Sequence, residues 1–259
     1  MATLRRMSPA LLAFDTSTEA LSVALCWPQG RLAWNGEGGA QASAALLPRV
    51  RAQMEQAGLR WADLDAIAFG CGPGAFTGLR TACAVAQGLA AGSQRLVLPV
   101  DTLMAVAEEA RIEVMRGEAA SAGATHISAL LDARMDEVYL QHFEWTGAGL
   151  QAIGPCELCA PEAVRFPPAA HRLVAGNALE VYRERLGELP AGSRWIAALP
   201  TAAALLRLAP RLLHQAVPPA QALPLYVRDK VAQTTEERSA AKVAKAEAAE
   251  LAAHRRPAP

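Results

Sequence analysis

The sequence predicts an α/β protein built as two related lobes, and three features of the chain carry that reading. Short apolar runs of buried-strand type recur at 11–14, 66–69, 127–131 and 173–175. A run that ends in Asp, passes a tight turn and resumes as a strand occurs twice, at Asp15 and at Asp132. A run that leads through glycine into a helical stretch also occurs twice, at 70–80 and at Gly176-Asn177. Each half then reads as strands, helix, strand, helix, with a cleft expected between the halves.

In the first half, Leu-Leu-Ala-Phe at 11–14 ends in Asp15-Thr16-Ser17-Thr18, residues 21–27 resume as a strand, and Pro28-Gln29-Gly30 turns a hairpin. An Asp at the end of a first strand, followed by hydroxyl residues, is how the actin, sugar kinase and Hsp70 (ASKHA) superfamily opens its first phosphate loop. There the carboxylate, here Asp15 with Thr16 beside it, organises a metal, and turn N–H groups meet phosphate. The same residues equally suit an Asx or Ser/Thr turn that only closes a hairpin. A helix over 42–57 follows, with Leu46, Leu47, Val50 and Met54 at the spacing of one apolar stripe.

The strand at 66–69 runs into Gly-Cys-Gly-Pro-Gly-Ala-Phe-Thr-Gly-Leu-Arg at 70–80 and then into a helix reaching about residue 91, with Thr77 as its expected N-cap. Glycines such as Gly72, Gly74 and Gly78 permit positive φ and close approach by another surface. Two readings stand. The helix N-terminus faces an anion, or the loop is a structural turn, since it has neither the Lys-Ser/Thr of a P-loop nor dinucleotide-fingerprint spacing. The helix carries Leu79, Ala82, Cys83, Val85, Ala86, Leu89 and Ala90 over most of its surface. It reads as a core helix, or as one presenting the small side chains Ala82, Ala86 and Ala90 to another subunit.

In the second half, 127–131 ends in Asp132-Ala133-Arg134, 138–145 resumes as a strand, and 173–175 enters Gly176-Asn177 and a helical stretch to Leu186. The bulky, cationic sequence after Asp132 is unlike a phosphate loop, which wants small residues and free N–H groups. The apolar segment 196–217 is broken by Pro200, Arg207, Pro210, Arg211 and His214, so it reads as a buried or amphipathic helix and not a membrane span. Residues 225–228 are the last expected to be ordered. From Gln233 on, Ala, Glu, Lys and Arg predominate, as in a solvated, disordered or loosely helical tail.

With 259 residues, 52% of them hydrophobic, the chain can bury the cores of two small lobes. A formal net charge of +0 gives it no electrostatic grip on nucleic acid unaided. The basic start at Arg5-Arg6 precedes an apolar segment too short for a signal peptide, so a cytoplasmic location is expected. Five cysteines fit no secreted disulfide framework. Cys156 and Cys159 form a Cys-x-x-Cys, half of a zinc site or a redox pair, without a second pair at finger spacing. His126, His142, His171, His214 and His254 show no helical ligand spacing, so no metal site is expected.

Four blocks together resemble the TsaB family: Leu-Ala-Phe-Asp-Thr-Ser-Thr at 12–18, Gly-Pro-Gly-Ala-Phe-Thr-Gly-Leu-Arg at 72–80, Leu-Asp-Ala-Arg-Met-Asp-Glu-Val-Tyr at 131–139 and Pro-Leu-Tyr-Val-Arg at 224–228. The resemblance spans most of the chain. It implies a duplicated actin-like fold with lobes over 1–114 and 115–228 and a tail over 229–259. It further implies a noncatalytic subunit that pairs with TsaD and, through that complex, with TsaE, to make N6-threonylcarbamoyladenosine beside the anticodon of tRNAs. Catalysis is then expected in TsaD, with no cofactor here, tRNA contact only through the complex, and a homodimer when TsaD is absent.

The contact implied by the resemblance uses the helices at 42–57 and 78–91, with Leu46, Leu47, Val50, Met54, Leu79, Ala82, Cys83, Ala86 and Leu89. Asp15, Thr16, Gly72, Gly74, Thr77, Gly78, Arg80 and Asp132 organise the loops and cleft. Residues 40–48, where many relatives carry a His, have none here. The alternative reading, from the loop residues alone, is an ATP-dependent small-molecule kinase or hydrolase of the same superfamily. A peptidase reading has neither metal ligands nor a nucleophile elbow to support it.

Overall fold

The computed structural model describes residues 9–116, 126–168 and 172–228. The start at Arg5-Arg6, His171, His254 and the tail over 229–259 lie outside the described residues.

Strand β1 (Leu11–Asp15) is buried on both faces, which is why it reads as an unbroken apolar run. It pairs antiparallel with β2 (Ala20–Trp27), which pairs with β3 (Gly30–Glu37). Helix α1 (Ala42–Ala57) returns the chain to β4 (Ala66–Gly72), parallel to β1, and α2 (Phe76–Ser93) leads to β5 (Leu96–Asp101), parallel to β4. The first sheet therefore has the order β3-β2-β1-β4-β5. Leu12 and Phe14 pack toward α1 and α2, with Phe69, Val50 and Met54 in the same core.

The second half repeats the plan. Strands β6 (His126–Arg134), β7 (Glu137–Trp145) and β8 (Leu150–Cys159) form a meander, while β9 (Arg172–Gly176) and β10 (Ser193–Ala197) add in parallel on the other side of β6. The order β10-β9-β6-β7-β8 is the first sheet's order traversed from its other edge. The duplication read from the sequence is thus a duplication of topology, and the architecture is the expected two-lobed α/β fold of the actin-like type.

Two elements cross over. Helix α3 (Thr102–Arg116), which follows the first sheet in the chain, packs against the second sheet's core of Ile127, Leu131, Phe143 and Leu173. Helix α5 (Ala202–Leu212), which follows the second sheet, covers the free face of the first through Leu205 and Leu208 against Leu11, Ala13, Ala68 and Leu98. The two helices touch. Glu108 on α3 is 2% exposed and holds Arg111 through two bonds of 2.8 Å and Arg207 of α5 at 3.0 Å. Arg207 also bonds Glu109 at 2.7 Å, and Thr201, which caps α5, bonds the same carboxylate. Removing Glu108 leaves two partly buried guanidinium groups without it, so Glu108→Ala is expected to destabilise the fold by about 2 kcal/mol in urea unfolding. That is below the range for wholly buried pairs, because both arginines retain some solvent.

Three expectations need correction here. Helix α2 begins at Phe76 after Ala75 in extended conformation, without a side-chain cap, so Thr77 lies inside the first turn and is not the N-cap. The helical stretch after Asn177 is only α4 (Ala178–Tyr182), because Tyr182 and Leu186 turn inward to fill the second sheet's outer core. The segment 196–217 is not one helix. It holds the end of β10, then α5, then a 3₁₀ turn and a bridge from Val217 to Val97, since Pro200 stops the strand and Thr201 starts a new helix. Among the described residues no helix is long and apolar enough to cross a membrane.

Candidate functional site

The fold gathers three of the four sequence blocks at one corner of the first lobe. The Asp15 carboxyl is 1% exposed. Its Oδ1 accepts hydrogen bonds from Ser17 N at 2.9 Å and Ser17 Oγ at 2.7 Å, and its Oδ2 lies so close to β4 that a Cβ on Gly70 would stand 1.7 Å from it. Burial pushes this carboxyl up to about pKa 6, against the lowering pull of the Ser17 hydrogen bonds. The turn after Asp15 then rests directly on the glycine loop. Thr16 Oγ1 donates to Gly78 O at 2.7 Å, and Ala75 N donates to Ser17 O at 2.7 Å. A Cβ on Gly78 would lie 1.8 Å from Thr16 O, and one on Gly74 would lie 2.5 Å from Ser17 O.

The glycines are therefore there for a close approach, as the sequence implied, and the approaching surface is the chain's own β1–β2 turn. Turn and loop form a closed backbone contact. Behind it, Gly72 N donates to Thr102 Oγ1 at 3.1 Å, and Asp101 caps the start of α3 through Met104 N at 2.8 Å. Burial lifts Asp101 to about 6 and the neighbouring Cys71 to about 12.

The fourth block seals the loop from outside. Residues 222–228 run as an extended strap in which Leu225 N donates to Cys71 O at 2.7 Å, and Ala222 O accepts from Gln87 Nε2 at 2.9 Å. Tyr226 lies 5.2 Å, centre to centre, from the Phe76 ring. Arg80 stands 3.8 Å over that same ring and donates to Tyr226 Oη at 3.2 Å. Arg80 thus joins α2 to the strap, a role that spacing in the sequence could not reveal.

The third block lies in the second lobe. Asp132 Oδ1 accepts from Tyr182 Oη and from Arg134 N, each at 2.8 Å, and Oδ2 pairs with Arg134 Nη1 at 2.9 Å. Burial first, and the bond to Asp132 second, push the Tyr182 phenol up to about 12. Arg134, Met135 and Asp136 take φ of 60°, 56° and 61°, a tight left-handed hairpin between β6 and β7. This carboxylate, unlike Asp15, is tied down by a cation and a phenol. At Asp15 one oxygen is engaged by Ser17, while Oδ2 is buried against Gly70 without a hydrogen-bond partner among the described residues.

The helices show a clear division of faces. Leu46, Val50 and Met54 on α1 and Ala82, Cys83 and Ala86 on α2 are buried in the first sheet's core, and Leu79 is buried over Gly72 at the end of β4. These seven side chains face inward within the chain itself, and a helix that is apolar nearly all round gives no sequence signal for which side the sheet takes. Leu89 is half-buried and Leu47 is 41% exposed. The outward stripe of α2 is Thr77, Arg80, Ala84, Gly88 and Ala91, all exposed and small-sided from Ala84 on, and a Cβ on Gly88 or Gly92 would meet nothing within 4 Å.

Cys156 and Cys159 sit on β8 three residues apart, an odd spacing that sends them to opposite faces. Cys156 packs with Phe143 and Leu173, Cys159 with Leu140 and Val164. Among the described residues no three His, Cys, Asp or Glu side chains gather as a metal-binding group. A cavity of about 440 Å³ lined by Glu109, Glu113, Trp195 and Leu199 includes none of the block residues.

Comparison with known proteins gives the family. The family model for TsaD, tRNA N6-adenosine threonylcarbamoyltransferase, matches residues 39–253. The tRNA threonylcarbamoyladenosine biosynthesis protein TsaB of Haemophilus influenzae is 32% identical over 237 residues, covering 85% of this chain and 94% of that protein. The chain belongs to the TsaB family. TsaB of Escherichia coli is 37% identical over 150 residues, 55% of this chain and 61% of that one. The solved structure of YeaZ from Pseudomonas aeruginosa superposes with a TM-score of 0.75 at 38% identity, covering 85% of this chain and all of that one. In this TsaB-family chain the Asp15 and Asp132 turns are held by the chain's own residues.

Proposed function

We propose that this chain is the noncatalytic partner of a TsaD in forming N6-threonylcarbamoyladenosine on tRNA, and that it docks TsaD on the outward faces of α1 and α2. The observation that carries the reading is the split of α2 into a buried stripe of Leu79, Ala82, Cys83 and Ala86 and an exposed stripe that runs from Thr77 and Arg80 into the small residues Ala84, Gly88 and Ala91. Small residues on an exposed helix allow a second helix to approach closely. Leu47 on α1 and the half-buried Leu89 add apolar surface beside that stripe, as an interface core requires. Because the TsaD family model matches most of this chain, the partner shares the fold and brings an equivalent helical face. A second copy of this chain competes for the same patch when TsaD is absent. tRNA is then met through the complex, in the cytoplasm, and TsaE joins that complex.

The closed loops support the division of labour. A scaffold needs Asp15 and Asp132 only as internal ties, whereas a kinase or hydrolase of the superfamily needs them open to phosphate. Reconstituted tRNA modification with purified TsaD and its co-factors of synthesis separates the two. Gly88→Arg is expected to lower modification at least 100-fold at limiting protein, because a guanidinium placed in a close helical contact must be desolvated without a partner. Asp132→Asn is expected to retain it within about twofold. Full modification with Gly88→Arg would remove α2 from the interface.

A further inference from the structure

The second sheet carries, on the face packed by Val164, Tyr182 and Leu186, a group of polar residues that neither the loops nor the helical face uses. Ladder register sets Ser193 of β10 beside Arg172 of β9, and Arg172 beside His126 of β6. The two-residue period puts Arg172 on the face of Val174, and its guanidinium stands 5.7 Å from the centre of the Phe166 ring. Arg172 is 3% exposed. Its Nε and Nη2, and Ser193 Oγ beside it, are buried and have no hydrogen-bond partner among the described residues. Burial draws Arg172 below its ordinary pKa, yet a guanidinium does not give up its proton under physiological conditions.

The identity of those two nitrogens is informative. Nε and Nη2 form one planar edge of the guanidinium, and three other arginines of this chain use that edge to hold a carboxylate. Arg60 grips Asp63 at 3.1 and 2.8 Å, Arg111 grips Glu108 at 2.8 Å twice, and Arg185 grips Glu162 at 2.5 and 3.2 Å. Two parallel N–H groups match two oxygens of a carboxylate or phosphate. Close by, His142 shares a 2.9 Å bond with Ser128 Oγ, and its pKa is held down mainly by burial, with the Arg172 charge acting in the same direction and Glu157 opposing. His142 is thus neutral in this setting, and Arg172 supplies the positive charge.

We infer that Arg172 and Ser193 form a binding site for a small oxyanion of the phosphate or carboxylate type. The oxyanion takes the Nε and Nη2 hydrogens of Arg172 on two oxygens and a further hydrogen bond from Ser193 Oγ, with Phe166 covering the guanidinium. This site is separate from the proposed docking face on α1 and α2, and its failure leaves that reading untouched.

Calorimetric melting of the full chain in sodium phosphate, sodium acetate and sodium chloride at equal ionic strength and pH tests it. A saturable rise in Tm of about 3 °C in phosphate or acetate over chloride is expected, and its loss in Arg172→Met. A rise in phosphate alone assigns a phosphate group, and an equal rise in acetate assigns a carboxylate. No rise in either anion, or the same rise in Arg172→Met, overturns the site. Should Arg172→Met fail to fold, Ser193→Ala decides: a roughly tenfold weaker anion response, the size of one hydrogen bond to a charged group, supports the site, and an unchanged response overturns it.

Discussion

Gly78→Ala is expected to destabilise the protein by about 3 kcal/mol or more, the upper range for forcing atoms into a packed interior. A Cβ there would lie 1.8 Å from Thr16 O, a backbone atom that cannot swing aside. It would also displace the carbonyl that accepts from Thr16 Oγ1. Relief requires the β1–β2 turn to lift off α2, which breaks the bond from Ala75 N to Ser17 O as well. Urea unfolding measures the loss. Gly88→Ala, on the same helix but with open space around it, serves as the control and is expected to be neutral to stabilising, since alanine is the better helix former by about 1 kcal/mol. Equal stability for the two variants would mean that the turn and loop are not in contact.

Asp15→Asn is expected to stabilise the fold at pH 7.5 by about 1–2 kcal/mol, an unusual direction for a change at a buried polar residue. The sign follows from linkage. The Asp15 pKa lies at about 6 in the folded chain against an ordinary value of 3.8, so the folded state holds the proton more tightly than the unfolded state. The carboxyl therefore subtracts stability as pH rises from about 4 to 6, and the penalty is complete above that window. The difference in pKa corresponds to about 3 kcal/mol. Part of the gain is lost because the new amide nitrogen faces Gly70 without an acceptor in place of Oδ2. Asp101 is raised to about 6 by burial as well, so the variant's stability still falls over the same window, with a shallower slope. Unfolding at pH 4.5, 6 and 7.5 checks this. A variant less stable than wild type at pH 7.5 would show that the charged form of Asp15 is favoured by the fold.

Much of this architecture is legible in the residues for definite reasons. β1, β4, β6 and β9 are buried on both faces, so each shows as an apolar run, and the two Asp-ended runs expose the duplication. What the sequence withholds is tertiary. Nothing in 102–116 or 202–212 says that α3 reaches the second sheet while α5 returns to cover the first, because an apolar face is equally satisfied by either core. Gly70, Gly74 and Gly78 announce a close approach without naming the surface that approaches, and that surface is Asp15-Thr16-Ser17. The inward side of α2 cannot be told from its outward side when Ala, Leu, Val and Cys surround the helix. Arg80 and Tyr226 are 146 positions apart, and only the fold makes them neighbours. Arg172 gave no signal at all, since a single arginine opening an apolar strand is ordinary until its burial is known.

Light scattering during size-exclusion chromatography of this chain with TsaD from the same organism, run beside Gly88→Arg and Asp15→Asn, decides whether the two proteins pair through α2. Wild type and Asp15→Asn are predicted to elute with TsaD as one-to-one complexes, displacing any homodimer, while a folded Gly88→Arg elutes alone. A chain that ignores TsaD, or a folded Gly88→Arg that pairs as tightly as wild type, would contradict a scaffold that docks through the outward face of α2.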